Sequence, residues 1–163
     1  ILPQAQAVGL DAHILGSDTW ENESIVMAAG SAAEGVVFST FFDENDESTP
    51  MAKDFVNGFK AYLNEDPQRV TLNGGTDGVA AVSALGYDAY MSMYEALKAL
   101  DGVEGDLTSV NLRDALVGVN FDGVTGNITF DETGDANKDS AYLKKVEGGK
   151  FVFVKKQLDE TAQ

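Results

Sequence analysis

The sequence predicts an α/β fold, and three observations carry that reading. Short β-branched or aromatic runs, clearest at Val36 to Phe42, alternate with stretches whose apolar residues recur every three or four positions. The elements run helix, strand, helix, strand, then three helices, then strands, an order that suits a sheet with helices packed on it. Apolar residues make up 44% and charged residues 23% of the 163 positions, so the chain can build a core and is not a disordered tract. The length suits one ordinary domain or parts of two.

The first twenty residues, ILPQAQAVGLDAHILGSDTW, read as the end of a helix, a turn, a short strand at His13 to Leu15, and a loop. Gly9 suits the helix end because a residue without Cβ takes positive φ at no steric cost. Opening inside a helix points to a segment of a longer protein. Glu23 to Ala29 is a small-residue helix, Gly30 to Gly35 a turn, and Val36 to Phe42 a buried strand. The acidic stretch Asp43 to Glu47 is a loop. Thr49 then caps a helix over 50–64 with Pro50 at its first position, and Met51, Phe55, Phe59 and Leu63 share one face.

Residues 65–78 read as a polar, Gly-rich connection. A long helix follows from Val79 to Leu100, with an apolar set Ala81, Leu85, Tyr90, Met93, Leu97 and Leu100, ended by Gly102 and Gly105. Thr108 or Ser109 caps a short helix carrying Leu112, Ala115 and Leu116, stopped by Gly118. From Phe121 to Asp135 the period becomes two, Ile128 and Phe130 alternating with Asn127 and Thr129. Tyr142 to Val146 and Phe151 to Val154, separated by Glu147-Gly148-Gly149, form a hairpin, and 158–163 is a frayed tail.

Charge and composition exclude several functions. Eleven basic residues against 27 acidic ones give a net charge of −16, the wrong sign for the phosphate backbone of nucleic acid or an anionic membrane. With no cysteine there is no disulfide, thiolate metal site or cysteine nucleophile. No apolar run approaches the roughly 18 residues of a membrane helix, and residues 1–10 lack the features of a signal segment. The one histidine, His13, sits at a strand start beside apolar residues and reads as ordinary packing. Asp135-x-Asn137-x-Asp139 begins like a calcium loop, but Ser140 and Val146 replace the glycine of the sharp turn and the bidentate glutamate, leaving a solvated turn. No cofactor or metal is expected.

Two short segments carry chemistry. Gly16-Ser17-Asp18-Thr19-Trp20 follows a strand, and ligands of open α/β sheets sit in loops at the C-terminal ends of strands. Asp18 can meet an ammonium group, Ser17 supplies a hydroxyl, and Trp20 can cover an apolar side chain. The alternative is a capping box for the helix at 23–29, with Trp20 as a lid on the core. Gly86-Tyr87-Asp88-Ala89 interrupts a helix with glycine, which close approach of a backbone or ligand would explain. Tyr87 then presents a phenol and a flat face to ligand, or packs between helices.

The order of motifs is more specific than any one of them. QAQAVGL, HILGSDTW, SAAEGVVFSTFF, MAKDFVNGFKAYL, ALGYDAYMSMYEAL, LRDALVGVNFDGVTGNITFDETGD and AYLKKVEGGKFVFVKK occur in turn. Together they resemble the C-terminal portion of the type I periplasmic solute-binding proteins, specifically the branched-chain amino acid (Leu/Ile/Val) binders of ABC importers. The resemblance implies two three-layer αβα lobes joined by a hinge, with ligand in the cleft between them. Residues 1–45 and 140–157 would belong to the second lobe, and 46–139 to the returning part of the first lobe and the hinge. Asp18 falls where the family's acidic residue receives the ligand ammonium group, and Tyr87 where a first-lobe tyrosine contacts ligand. Asp18 is one methylene shorter than the usual glutamate, and Trp20 replaces a smaller residue, so a larger amino acid or another amine-bearing solute fits the pattern.

The resemblance further implies an extracytoplasmic protein that binds a small solute, delivers it to an ABC permease and has no catalysis of its own. A ligand-sensing receptor ectodomain of the same fold and, more remotely, an acidic hydrolase pairing Asp18 with Asp88 are the alternatives. The apolar stripes on 50–64 and 79–100 exceed what the chain's few strands can cover. The remaining N-terminal half, or a second copy, is therefore expected as a partner.

Overall fold

A computed structural model describes residues 1–46, 49–101, 107–138 and 140–158. The α/β prediction holds. Helix α1 (Leu2–Ala7) leads to the short strand β1 (Leu15–Gly16), one 3-10 turn (Asp18–Trp20) and α2 (Glu23–Ala29). Strand β2 (Val37–Thr40) is followed by four helices: α3 (Pro50–Asn64), α4 (Pro67–Leu72), α5 (Ala81–Ala99) and α6 (Ser109–Val117). The pair β3 (Asn120–Gly123) and β4 (Gly126–Thr129) precedes the closing hairpin, β5 (Ser140–Glu147) and β6 (Lys150–Leu158).

The larger sheet has the order β1-β2-β5-β6. Its first pair is parallel, with Leu15 opposite Val37. The other pairs are antiparallel, with Thr40 opposite Tyr142 and Glu147 opposite Lys150. The hairpin turns at Gly148 and Gly149, both at positive φ (60° and 72°), the conformation a tight two-residue turn between twisted strands requires. Glu34 holds this turn from outside, its two carboxylate oxygens accepting from the N–H groups of Gly148 at 2.9 Å and Gly149 at 2.7 Å.

Two apolar clusters form. Leu2, Val26, Ala33, Val36 and Val146 form the first, against which Trp20 and Phe151 pack. Phe38 adds an edge-to-face contact with Phe151 at 5.1 Å. Phe42, Ala52, Val79, Ala81, Ala84 and Val124 form the second, with Met51, Phe55, Val56 and Phe59 packed on it. The face predicted for helix 50–64 is thus the face that packs. Thr49 starts α3 as expected: its Oγ1 accepts from the Ala52 N–H at 3.0 Å and donates to the Gly123 carbonyl at 2.9 Å.

Several expectations need correction. The connection at 65–78 contains α4, begun by the Asp66 cap on the Gln68 N–H (2.9 Å) with Pro67 at the first position. The first strand lies at Leu15–Gly16, later than His13 to Leu15, and His13 is exposed. Helix α5 begins at Ala81, two residues later than expected, and Leu158 belongs to β6 instead of the tail. The buried face of α5 is Ala81, Ala84, Asp88, Ser92 and Ala96, while Tyr90, Met93 and Leu97 are 68%, 40% and 41% exposed. The turn between β3 and β4 comes close against this helix at Asp88, with Val124 packed in one cluster with Ala81 and Ala84, and α6 packs on the same helix. Gly102, Gly105, Glu47, Asp139 and 159–163 lie outside the described residues.

Candidate functional site

The site begins at the C-terminal end of β1. Ser17 is extended and leads into the 3-10 turn Asp18–Trp20, closed by the Trp20 N–H on the Ser17 carbonyl at 3.0 Å. The Ser17 and Thr19 hydroxyls share a hydrogen bond at 3.0 Å. Asp18 is exposed, and its carboxylate takes no hydrogen bond or ion pair from any described residue. The cap of α2 is Asn22, whose side chain accepts from the Ser24 N–H at 2.9 Å. The capping part of the alternative for Gly16 to Trp20 therefore fails, since none of these side chains caps α2, while its other part holds, Trp20 packing as a lid on the first apolar cluster.

Trp20 is half-buried and lies across Gly16. A Cβ at Gly16 would sit 2.8 Å from the indole Cδ2, closer than carbon atoms approach. Gly16 thus lets the ring lie flat on the strand end from which Asp18 projects. Gly16→Ala is expected to displace the indole and cost about 1–3 kcal/mol. A red shift in the fluorescence of Trp20, the sole tryptophan of the chain, checks it.

Tyr87 is 38% exposed, and its ring rests on Phe55 of α3, with centroids 4.9 Å apart. No hydrogen bond or ring contact joins it to Ser17, Asp18 or Trp20 among the described residues. Gly86 has open space where a Cβ would be, so close approach does not explain it within this chain. The close approach occurs instead at Gly123, where a Cβ would meet Asp88 Oδ1 at 2.6 Å. Asp88 is buried and accepts from the Val124 N–H (2.6 Å), the Thr125 N–H (2.8 Å) and the Thr125 hydroxyl (2.7 Å). It is committed to the β3–β4 turn, while Asp18 is exposed, so the two make no paired-carboxylate hydrolase site.

One group of residues was not singled out from the sequence. Glu21, just past the 3-10 turn, is buried with Asp43 and Lys144. The Lys144 ammonium meets Glu21 Oε1 at 2.5 Å and Asp43 Oδ2 at 3.2 Å. Glu21 Oε2 accepts from the Thr40 hydroxyl at 2.8 Å and from the Ala81 N–H at 3.0 Å. Beside it, Glu44 accepts from the Val79 N–H at 3.0 Å and pairs with Lys60 at 2.9 Å. A signal for Lys144 was present: in β5 it alternates with Tyr142 and Val146, which places it on the buried face.

These groups border a pocket of about 260 Å³, walled by Glu21, Glu23, Asp43, Asn73, Val82 and Lys144 among others. Ser17, Asp18, Trp20 and Tyr87 do not line it. Burial pushes the Glu23 carboxyl above its ordinary value; the Glu21 charge adds to this, and Lys150 opposes it. No group of three or more His, Cys, Asp or Glu among the described residues is arranged to hold a metal ion. No helix among them is long and apolar enough to cross a membrane.

A parallel strand pair ending in a polar loop is thus joined to a helical body across a buried ionic junction. The chain matches the periplasmic binding protein family over residues 1–150 and belongs to it. It is 29% identical over 135 residues to the leucine-, isoleucine-, valine-, threonine- and alanine-binding protein of Pseudomonas aeruginosa, an alignment covering 83% of this chain and 31% of that protein. Among solved structures, a leucine-binding protein from Thermotoga maritima matches with a TM-score of 0.78 and 29% identity, over 98% of this chain and 41% of that one. The branched-chain amino acid transporter substrate-binding protein of Streptococcus pneumoniae, in complex with isoleucine, matches with a TM-score of 0.68 and 26% identity, over 96% and 40%. The chain therefore spans about a third of that curated relative and about two fifths of these structures. Its fold is part of a two-lobed type I binding protein.

Proposed function

We propose that this chain is part of the solute-binding component of an ABC importer and binds an amino acid, or a similar amine-bearing solute, between two lobes. The observation that carries the proposal is Asp18: an exposed carboxylate with no partner among the described residues, on the loop that ends β1, in a chain whose relatives include leucine- and isoleucine-bound proteins. The first apolar cluster belongs to residues 1–45 and 140–157 as one lobe. The second, apart from Phe42 at the crossover, belongs to 46–139 as the returning part of the other lobe and the hinge. Asp18 receives the ligand ammonium group, Ser17 supplies a hydroxyl contact, Trp20 covers the ligand side chain, and Tyr87 contributes the exposed part of its ring from the opposite lobe.

The protein works outside the cytoplasm and hands its solute to a permease, with no chemistry performed on it. The exposed stripe Tyr90, Met93 and Leu97 on α5 is covered by the remaining part of the first lobe or by a second copy. The test is Asp18→Asn in the full-length protein, with leucine titrated calorimetrically. Removing one partner of a desolvated charge pair costs about 2–5 kcal/mol, so the dissociation constant is expected to rise at least about 30-fold. An unchanged constant would remove Asp18 from the site.

A further inference from the structure

We propose that Glu21 is a positioning residue for solute binding: through Lys144 and the Ala81 N–H, its buried carboxylate sets the angle between the two lobes. This rests on the solute-binding reading above. The argument begins with where the partners lie. Thr40 ends β2 and Lys144 lies in β5, both in the larger sheet. Ala81 opens α5 and belongs to the second apolar cluster, with α3 and the β3–β4 turn. Glu21 follows the 3-10 turn that carries Asp18, its own N–H on the Asp18 carbonyl at 3.3 Å. The Glu21 carboxylate therefore touches the sheet and the opposite body, while its backbone N–H closes the turn bearing the proposed ligand contact.

The chemistry makes this contact directional. Oε1 faces Lys144, leaving Oε2 for Thr40 and Ala81. The Ala81 N–H is one of the N-terminal donors of α5 that have no carbonyl partner within the helix. Its alignment with the helix dipole favours a carboxylate there. Glu44 satisfies the neighbouring Val79 N–H from the segment after β2, so two acidic side chains grip one helix start. Every buried side-chain oxygen and nitrogen among the described residues is satisfied, so the junction is fully paired in this arrangement. A change of lobe angle that moved α5 from the sheet would take the Ala81 N–H from Glu21 Oε2 while Lys144 and Thr40 stay on the carboxylate, and the loss of that one charge-assisted bond opposes the change.

Small-angle scattering and calorimetry on the full-length protein test this. In Glu21→Ala the ligand-free radius of gyration is expected to rise and the leucine dissociation constant to increase about tenfold. Glu21→Gln keeps an acceptor for Ala81 and Thr40 but turns its NH2 donor toward Lys144, and is expected to give a radius between those of Glu21→Ala and the wild type. A merely structural Glu21 predicts a lower melting temperature with radius and dissociation constant unchanged; that result overturns the proposal. If Glu21→Ala does not fold, hydrogen exchange of the wild-type Ala81 amide decides. Protection far above that of an exposed amide supports the contact, and fast exchange overturns it. If the wild-type protein binds none of the twenty common amino acids, the amino-acid reading falls, while the ligand-free radii still judge Glu21.

Discussion

Lys144→Met is expected to destabilise the protein by about 3–5 kcal/mol, measured as a shift of the urea unfolding transition at constant m. Methionine nearly matches the lysine stem in length and volume, so little of the loss comes from a cavity. The cost is electrostatic. Lys144 lies between Glu21 and Asp43, all three side chains at most 8% exposed. Removing the ammonium leaves two carboxylates facing each other with little water to separate them. Glu21→Gln should be milder, because it leaves Lys144 and Asp43 matched one to one. The double variant Glu21→Gln/Lys144→Met should then lose less than the sum of the singles, since the glutamine no longer repels Asp43. A loss below about 1 kcal/mol for Lys144→Met would place the group in a far wetter setting than its burial indicates.

Whether a feature was legible in the sequence depended on how local its cause is. Helix α3 could be read in full because Thr49, Pro50 and the Met51, Phe55, Phe59 stripe state its start and its face within ten residues. The closing hairpin was readable for the same reason, through Gly148-Gly149 between two apolar alternations. Helix α4 was hidden by its polar composition, although Asp66-Pro67 is a proper start signal. The inward face of α5 was misread because apolar size was taken as the guide. In the fold, alanine, serine and a hydrogen-bonded aspartate admit the β3–β4 turn, and the large residues face outward.

The site divides the same way. Asp18 and Trp20 stand on one short loop after a strand, so their neighbourhood is local and was visible. The junction of Glu21, Thr40, Asp43, Ala81 and Lys144 joins residues up to 123 positions apart. No spacing rule links them, and only the two-residue alternation of β5 pointed inward at Lys144. Asp88 enters the sequence reading only as a partner for Asp18 in a hydrolase pair, whereas its actual partners lie 36 and 37 residues further along the chain.

Those partners make Asp88→Ala the second large effect. The Asp88 carboxylate is the acceptor for two backbone N–H groups, of Val124 and Thr125, and for the Thr125 hydroxyl. Hydrogen bonds to a charged acceptor contribute roughly 1.5–3 kcal/mol each, and a buried donor left unpaired costs about 1–3 kcal/mol. These terms overlap, so a net loss of about 3–5 kcal/mol is expected for Asp88→Ala by thermal or urea unfolding. Asp88→Asn separates hydrogen-bond pattern from volume. Its amide keeps one oxygen for the Val124 N–H but turns an NH2 donor toward the Thr125 N–H, so two donors face each other. The asparagine variant should therefore lose at least half of what the alanine variant loses, although it fills the same space. Exchange at the Val124 and Thr125 amides should accelerate in both variants, because the turn between β3 and β4 is released from α5. An asparagine variant as stable as wild type would show that volume, and not the three-donor arrangement, fixes this turn.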